Sequence, residues 1–177
     1  SCKHAQVFSL VFSSLVMQGQ FYLPIKTPKQ KIDQVITFGK NYIEVELIGD
    51  FFADCQSIAI DFAKKNNKIF IHAFDDIKVI EGQGTTALEI LNQFDKHLDY
   101  LFVPIGGGGL ISGVLTVFKE LSPKTKIIGV ERSGAQALIK SLKKGKLYSR
   151  HKIDRFVDGD EMKRVGKVTI RSCKTYM

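Results

Sequence analysis

"VPIGGGGLISGVLTVFKEL", residues 103–121, runs from an apolar stretch through four consecutive glycines into a helix-period pattern. A strand ending in Gly106-Gly107-Gly108-Gly109, with a helix opening at Leu110, would gather backbone N–H groups at a helix N-terminus, a place suited to a phosphate. Glycine serves there because no Cβ holds the anion off the backbone and positive φ costs little. A close-packed turn is the competing reading, although four glycines weaken a turn more than packing requires. Spacing narrows the kind of phosphate. A G-x-G-x-x-G fingerprint fails, since its last position falls on Ile111 or Ser112. A Walker-type loop fails because Val114 and Leu115 follow Gly113 where Lys and Ser/Thr are required. Glu131, ending the next apolar run, could imitate a ribose-binding acid and keeps a Rossmann-like alternative open.

Outward from this loop, short apolar runs alternate with helix-period stretches. The runs are residues 20–25, 42–48, 68–74, 98–105 and 126–131, each predicted to be a strand. Helices are predicted over 27–39, with Pro28 near the first turn and Gly39 at the stop; over 50–66, capped by Asp50; over 75–94; and over 110–121. A last helical stretch is expected from Lys163 to Tyr176. This βαβα rhythm predicts an α/β fold with parallel sheets covered by helices. A boundary is expected near residues 72–79, where a strand hands over to a long helix.

The 177 residues, 44% hydrophobic and 25% charged, can bury a sizeable core. Cys2, Cys55 and Cys173 show no CxxC spacing, which argues against a zinc site or disulfide framework and fits a reducing cytoplasm. No stretch has the apolar length of a membrane span, and Val7 to Met17 is too short and too rich in Ser. The sequence starts at Ser1 without a signal peptide's methionine and basic region, as a piece cut from a longer chain would. Residues 1–100 carry 10 basic and 12 acidic side chains, net −2, whereas residues 101–177 carry 16 and 6, net +10. Much of that excess lies in 140–155, read as a solvated helix end and loop. No aromatic or zinc-finger motif turns it into a nucleic-acid reader, so no nucleic-acid partner is expected.

The stretches 99–131, 75–91 ("DDIKVIEGQGTTALEIL") and 23–39 ("LPIKTPKQKIDQVITFG") closely resemble the catalytic domain of the threonine dehydratase (threonine ammonia-lyase) family. The likeness runs from Ser1 to about Tyr176 with the spacing between motifs kept. It implies the tryptophan-synthase-β-like fold shared with serine racemase (PLP fold type II), incomplete here at both ends. Residues 1–74 would form a small α/β domain and 75–177 part of a large domain that binds the cofactor phosphate. The cofactor implied is pyridoxal 5'-phosphate, cradled by Gly106, Gly107, Gly108, Gly109 and the amide of Leu110, with Gly159 beside the pyridine ring. The reaction implied is β-elimination of threonine or serine to 2-oxobutanoate or pyruvate and ammonia, in isoleucine biosynthesis in the cytoplasm. A homo-oligomer is implied for the full-length form, with no membrane partner.

This sequence departs from the family pattern in several places. The Schiff-base lysine motif, of the form S-x-K-x-R-G-A, does not occur in these residues, so the chain alone is expected to be inactive. Where the family reads S-A-G-N-H-A-Q-G, the chain reads Ser1-Cys2-Lys3-His4-Ala5-Gln6-Val7. Ser1 and His4 carry over, Ser1 as a catalytic-site residue and His4 more simply as a helix-start residue; the Asn does not. Lys3 could stand in as a Schiff base, but a lysine beside a helix start is usually solvated. In the metal-binding relatives Glu131 and Ala135 have counterparts, but Ala137 replaces an Asp, and no metal is expected. Lys31 and Asp33 read as an exposed helix face, and Gln83 and Thr85 as a helix N-terminal turn. Two alternatives stay open: a non-catalytic phosphate- or cofactor-binding module or partner subunit, and a serine racemase- or cysteine synthase-like enzyme of the same fold.

Overall fold

The structure is a computed structural model and describes residues 2–149 and 164–176. The chain divides into two compact units, Ser1–Ile71 and His72–Met177. In the first, helix α1 (Cys2–Ser14) is followed by strand β1 (Gly19–Leu23), helix α2 (Lys29–Gly39), strand β2 (Ile43–Leu47) and helix α3 (Phe52–Lys65). Strands β1 and β2 are parallel, with Phe21 opposite Val45. Ala5, Leu23 and Val35 form the centre of this core, with Phe21, Ile32, Ile43 and Val45 packed around them. Pro28 stands just before α2, where its missing N–H costs nothing.

The second unit contains helix α4 (Ile77–Gln93), strand β3 (Tyr100–Pro104), helix α5 (Gly109–Leu121), strand β4 (Lys126–Val130), and helices α6 (Ala137–Lys144) and α7 (Lys167–Tyr176). Strands β3 and β4 are parallel, with Phe102 opposite Ile128, so β3, α5 and β4 make a βαβ unit. Helix α5 buries Ile111, Val114, Leu115 and Phe118 at helical spacing, and these meet Ala87, Val103, Ile105, Leu138, Ile170 and Cys173 in one core. The opposite face of β3 and β4 carries Tyr100, Phe102, Ile128 and Val130, all exposed.

Helices α4 and α5 approach until their backbones nearly touch. A Cβ on Gly113 would lie 2.5 Å from both the Gly84 nitrogen and the Ile80 carbonyl oxygen. The Gly-Gln-Gly-Thr stretch is therefore part of a helix interior, six residues or more after Asp76 begins α4, and not a helix N-terminal turn. The pattern of the crossing, rather than capping, explains its Gly84. Thr85 donates its hydroxyl to the Gly82 carbonyl at 2.7 Å and Gln83 faces solvent.

Three further expectations are corrected. Residues 68–74 form no strand: His72 Nδ1 accepts the amides of Phe74 at 3.2 Å and Asp75 at 2.8 Å, and Ile69 is 91% exposed. Those two amides go to a ring nitrogen and not to a sheet ladder. Asp50 does not cap α3; it pairs with Lys26 at 3.2 Å, while Asp54 in the first turn reaches back to accept the Phe51 amide at 3.0 Å. The final helix begins at Lys167, four residues later than expected.

The crossing predicts opposite signs for two glycines in urea unfolding. Gly113→Ala, which must push two backbones apart, should cost about 1–3 kcal/mol. Gly82→Ala, whose Cβ would meet nothing within 4 Å, should add about 0.5–1 kcal/mol by removing glycine's entropy from a helix interior. Cysteine labelling offers a second check. Burial, aided by the Glu131 charge, pushes the Cys173 thiol up to about 11, and burial also raises Cys55. Both should stay unlabelled by iodoacetamide near pH 8 in the native chain and react once urea is added, as read by peptide mass spectrometry.

Candidate functional site

The glycine loop joins β3 to α5 inside the second unit. Gly108 is the residue before the helix and has φ +98°, a left-handed conformation that L side chains rarely adopt. Its neighbours leave no room either. A Cβ on Gly107 would strike the Phe74 ring, one on Gly108 the Thr169 side chain, and one on Gly109 would lie 2.9 Å from the Phe74 carbonyl oxygen. The loop is thus pressed between the segment before α4 and the first turns of α7.

Its carbonyls are engaged. Gly107 O accepts the Gly166 amide at 3.1 Å and the Thr169 hydroxyl at 3.3 Å. Gly108 O accepts both the amide of Ser112 at 3.1 Å and its hydroxyl at 2.8 Å. The amides are the other half of the balance: among the described residues, none from Gly106 to Leu110 donates a backbone hydrogen bond outside the helices and strands. They lie where the first turn of α5 has no carbonyls to offer. Unspent donors, the positive end of a helix and a surface without side chains are an arrangement that could hold an anion such as a phosphate.

The support for this loop comes from acids that look redundant in the sequence. Asp76 caps α4, accepting the amides of Lys78 at 2.8 Å and Val79 at 3.4 Å. Asp75 caps a different helix: its two carboxylate oxygens each accept an α7 amide at 2.9 Å, from Lys167 and Val168. Burial lowers the pKa of His72 despite the opposing charges of Asp75 and Asp76, which suits a ring whose Nδ1 accepts two amides. The ring also packs edge-on against Phe74, with centroids 4.6 Å apart.

Of the residues the sequence singled out, Gly106, Gly107, Gly108, Gly109 and Leu110 are together in this loop. Ser1 and Gly159 lie outside the described residues. Lys3 is exposed on the first turn of α1, and His4 stacks on Phe8 with centroids 4.6 Å apart. Asp33 is exposed and Lys31 half-buried on α2. Glu131 is taken up as a helix cap, its carboxylate accepting the amides of Leu138 at 2.7 Å and Ile139 at 2.8 Å, a structural role that accounts for this acid without a ribose. Among the described residues no group of three or more His, Cys, Asp or Glu side chains is placed to hold a metal ion. Sequence reading missed Asp75, Phe74, Gly166 and Thr169. Only the doubled acid before α4 hinted at a second capping role.

Residues 3–177 match the family described as pyridoxal-phosphate dependent enzyme. The chain is 48% identical over 171 residues to the L-threonine dehydratase biosynthetic IlvA of Halalkalibacterium halodurans, covering 97% of this chain and 41% of that protein. The processed form of threonine deaminase isoform 2 from Solanum lycopersicum superposes with a TM-score of 0.88 at 40% identity, covering 97% of this chain and 46% of that one. Maize serine racemase superposes with a TM-score of 0.86 at 26% identity, covering 98% and 51%. The chain therefore spans about two fifths to one half of the relatives it matches, and the fold is that of the tryptophan-synthase-β-like enzymes. With its glycine cradle and a match over nearly its whole length, the chain belongs to the pyridoxal-phosphate dependent enzyme family.

Proposed function

We propose that this chain is the central part of a threonine dehydratase, and that its glycine loop holds the phosphate of pyridoxal 5'-phosphate. The observation that carries the reading is the division of labour in the loop, with carbonyls engaged by the protein and amides left over at the start of α5. The 48% identity to a biosynthetic threonine dehydratase favours threonine, or serine, as substrate over the racemase chemistry of a 26% identical relative. The products would be 2-oxobutanoate or pyruvate with ammonia, in isoleucine biosynthesis.

When bound, pyridoxal phosphate supplies the electron sink that makes the substrate Cα–H acidic enough for the β-hydroxyl to leave. The chain's own part is positional. The amides of Gly106 to Leu110 would donate to the phosphate oxygens, and the α5 dipole would add a favourable field. Phe74 and Thr169 close the protein side of the loop, so the anion can approach from the opposite side only. No residue in 1–177 carries the family's Schiff-base lysine motif, so turnover is expected only together with sequence that supplies it. Residues 75–177 then belong to the large phosphate-binding domain and 1–74 to the small one, a reading supported by the division of the chain into compact units after Ile71. The unpaired Cys55 and Cys173 suit a reducing cytoplasm, and the exposed apolar face of β3 and β4 suits a homo-oligomeric full-length protein.

Mixing the chain with pyridoxal phosphate, with and without inorganic phosphate, tests the cradle. Saturable binding that phosphate competes away is the expected result, and binding indifferent to phosphate would sink the reading. Borohydride reduction followed by peptide mapping should leave no single modified lysine, the exposed Lys3 included. A stoichiometric adduct at Lys3 would show that the chain forms its own Schiff base.

A further inference from the structure

The Gly107–Gly108 peptide is held from one side only. Its carbonyl oxygen accepts two donors from the start of α7, the Gly166 amide at 3.1 Å and the Thr169 hydroxyl at 3.3 Å. A trans peptide is planar, with C=O and N–H pointing in opposite directions. Turning the Gly107 carbonyl toward α7 therefore turns the Gly108 amide away from it. The start of α7 is itself fixed by Asp75, which accepts the Lys167 and Val168 amides and packs so tightly against Gly166 that no Cβ would fit there. Thr169 is fully buried, and its methyl group lies against Gly108 at the point where φ is +98°.

We propose that Thr169 is a positioning residue for the anion cradle, acting through the Gly107 carbonyl to aim the Gly108 amide at the phosphate, with Asp75 as the anchor that holds α7 in place. The inference rests on the reading that the loop binds a phosphate. Without the brace, the Gly107–Gly108 peptide, flanked by two glycines, can rotate at little cost and lose its aim. The Asp75 carboxylate does not oppose the anion as a bare charge would, because both oxygens are occupied by amides at the positive end of α7.

The test uses the full chain, nitrogen-15 labelled, titrated with inorganic phosphate while the Gly108 amide is followed by NMR. Thr169→Val keeps the shape and removes the hydroxyl. It should weaken phosphate binding about fivefold, the scale of one lost neutral hydrogen bond, and should shift the Gly108 amide resonance before any phosphate is added. Thr169→Ser should restore both. Asp75→Asn, whose amide oxygen can still accept one of the two bonds, should give a smaller loss in the same direction. It keeps the test alive if the valine variant does not fold. Unchanged phosphate affinity and Gly108 resonance in a folded Thr169→Val or Asp75→Asn chain would overturn the inference while leaving the phosphate reading standing. Equal weakening in Thr169→Ser and Thr169→Val would also overturn it, because packing and not the hydroxyl would then be at work. No saturable response in the unsubstituted chain would overturn the phosphate reading and the inference with it.

Discussion

The close crossing of α4 and α5 is the constraint on which the second unit depends. Gly113 sits where any side chain would meet the Gly84 nitrogen and the Ile80 carbonyl oxygen, so the two helices are as near as backbones allow. That nearness fixes the axis of α5, and the start of the axis is the glycine loop. It also brings the segment before α4 against the same loop, so that Phe74 covers Gly107 and Gly109. An interhelical contact and the placement of the glycine loop are thus one structural decision, made at two glycines that belong to different motifs.

From there the site is built by assigning each polar group on the loop a direction. The carbonyls of Gly107 and Gly108 are claimed by α7 and by Ser112, and the amides are left for an outside acceptor. Side-chain carboxylates elsewhere in the unit serve the same economy of backbone donors. Asp75, Asp76 and Glu131 each accept a pair of helix-terminal amides, so three acids that might be read as chemistry are structural caps. Catalytic character cannot be inferred from such residues until their partners are known.

The sequence made legible whatever depended on local pattern. Strands at 19–23, 43–47, 100–104 and 126–130 follow from apolar runs, and α5 from the spacing of Ile111, Val114, Leu115 and Phe118. Pro28 marks the start of α2 and the four glycines mark the loop. What escaped was set by distant partners. Residues 68–74 have the composition of a strand, but His72 takes two of the amides that a ladder would need. Asp50 resembles a cap, yet Asp54 performs the capping from inside the helix. Gln83 and Thr85 read as a helix N-terminal turn, whereas they lie well inside the helix predicted over 75–94, and the crossing with α5 accounts for the Gly84 between them. Thr169 gave no local signal and Asp75 only that of a doubled acid, since their partners are 62 and 92 residues away.

The separation of Thr169 from the glycine loop has a consequence for the order of events during synthesis. Helix α4, strand β3 and helix α5 can form from consecutive sequence as the chain leaves the ribosome, with mostly short loops to close. The second face of the glycine loop cannot, because its donors at Gly166 and Thr169 emerge some sixty residues after the loop itself. Until then the Gly107 carbonyl lacks both donors and the flanking glycines leave the peptide free to turn. The braced glycine loop is therefore a late-maturing feature on an early scaffold, and in the nascent chain the Gly107 carbonyl gains its partners only when α7 docks.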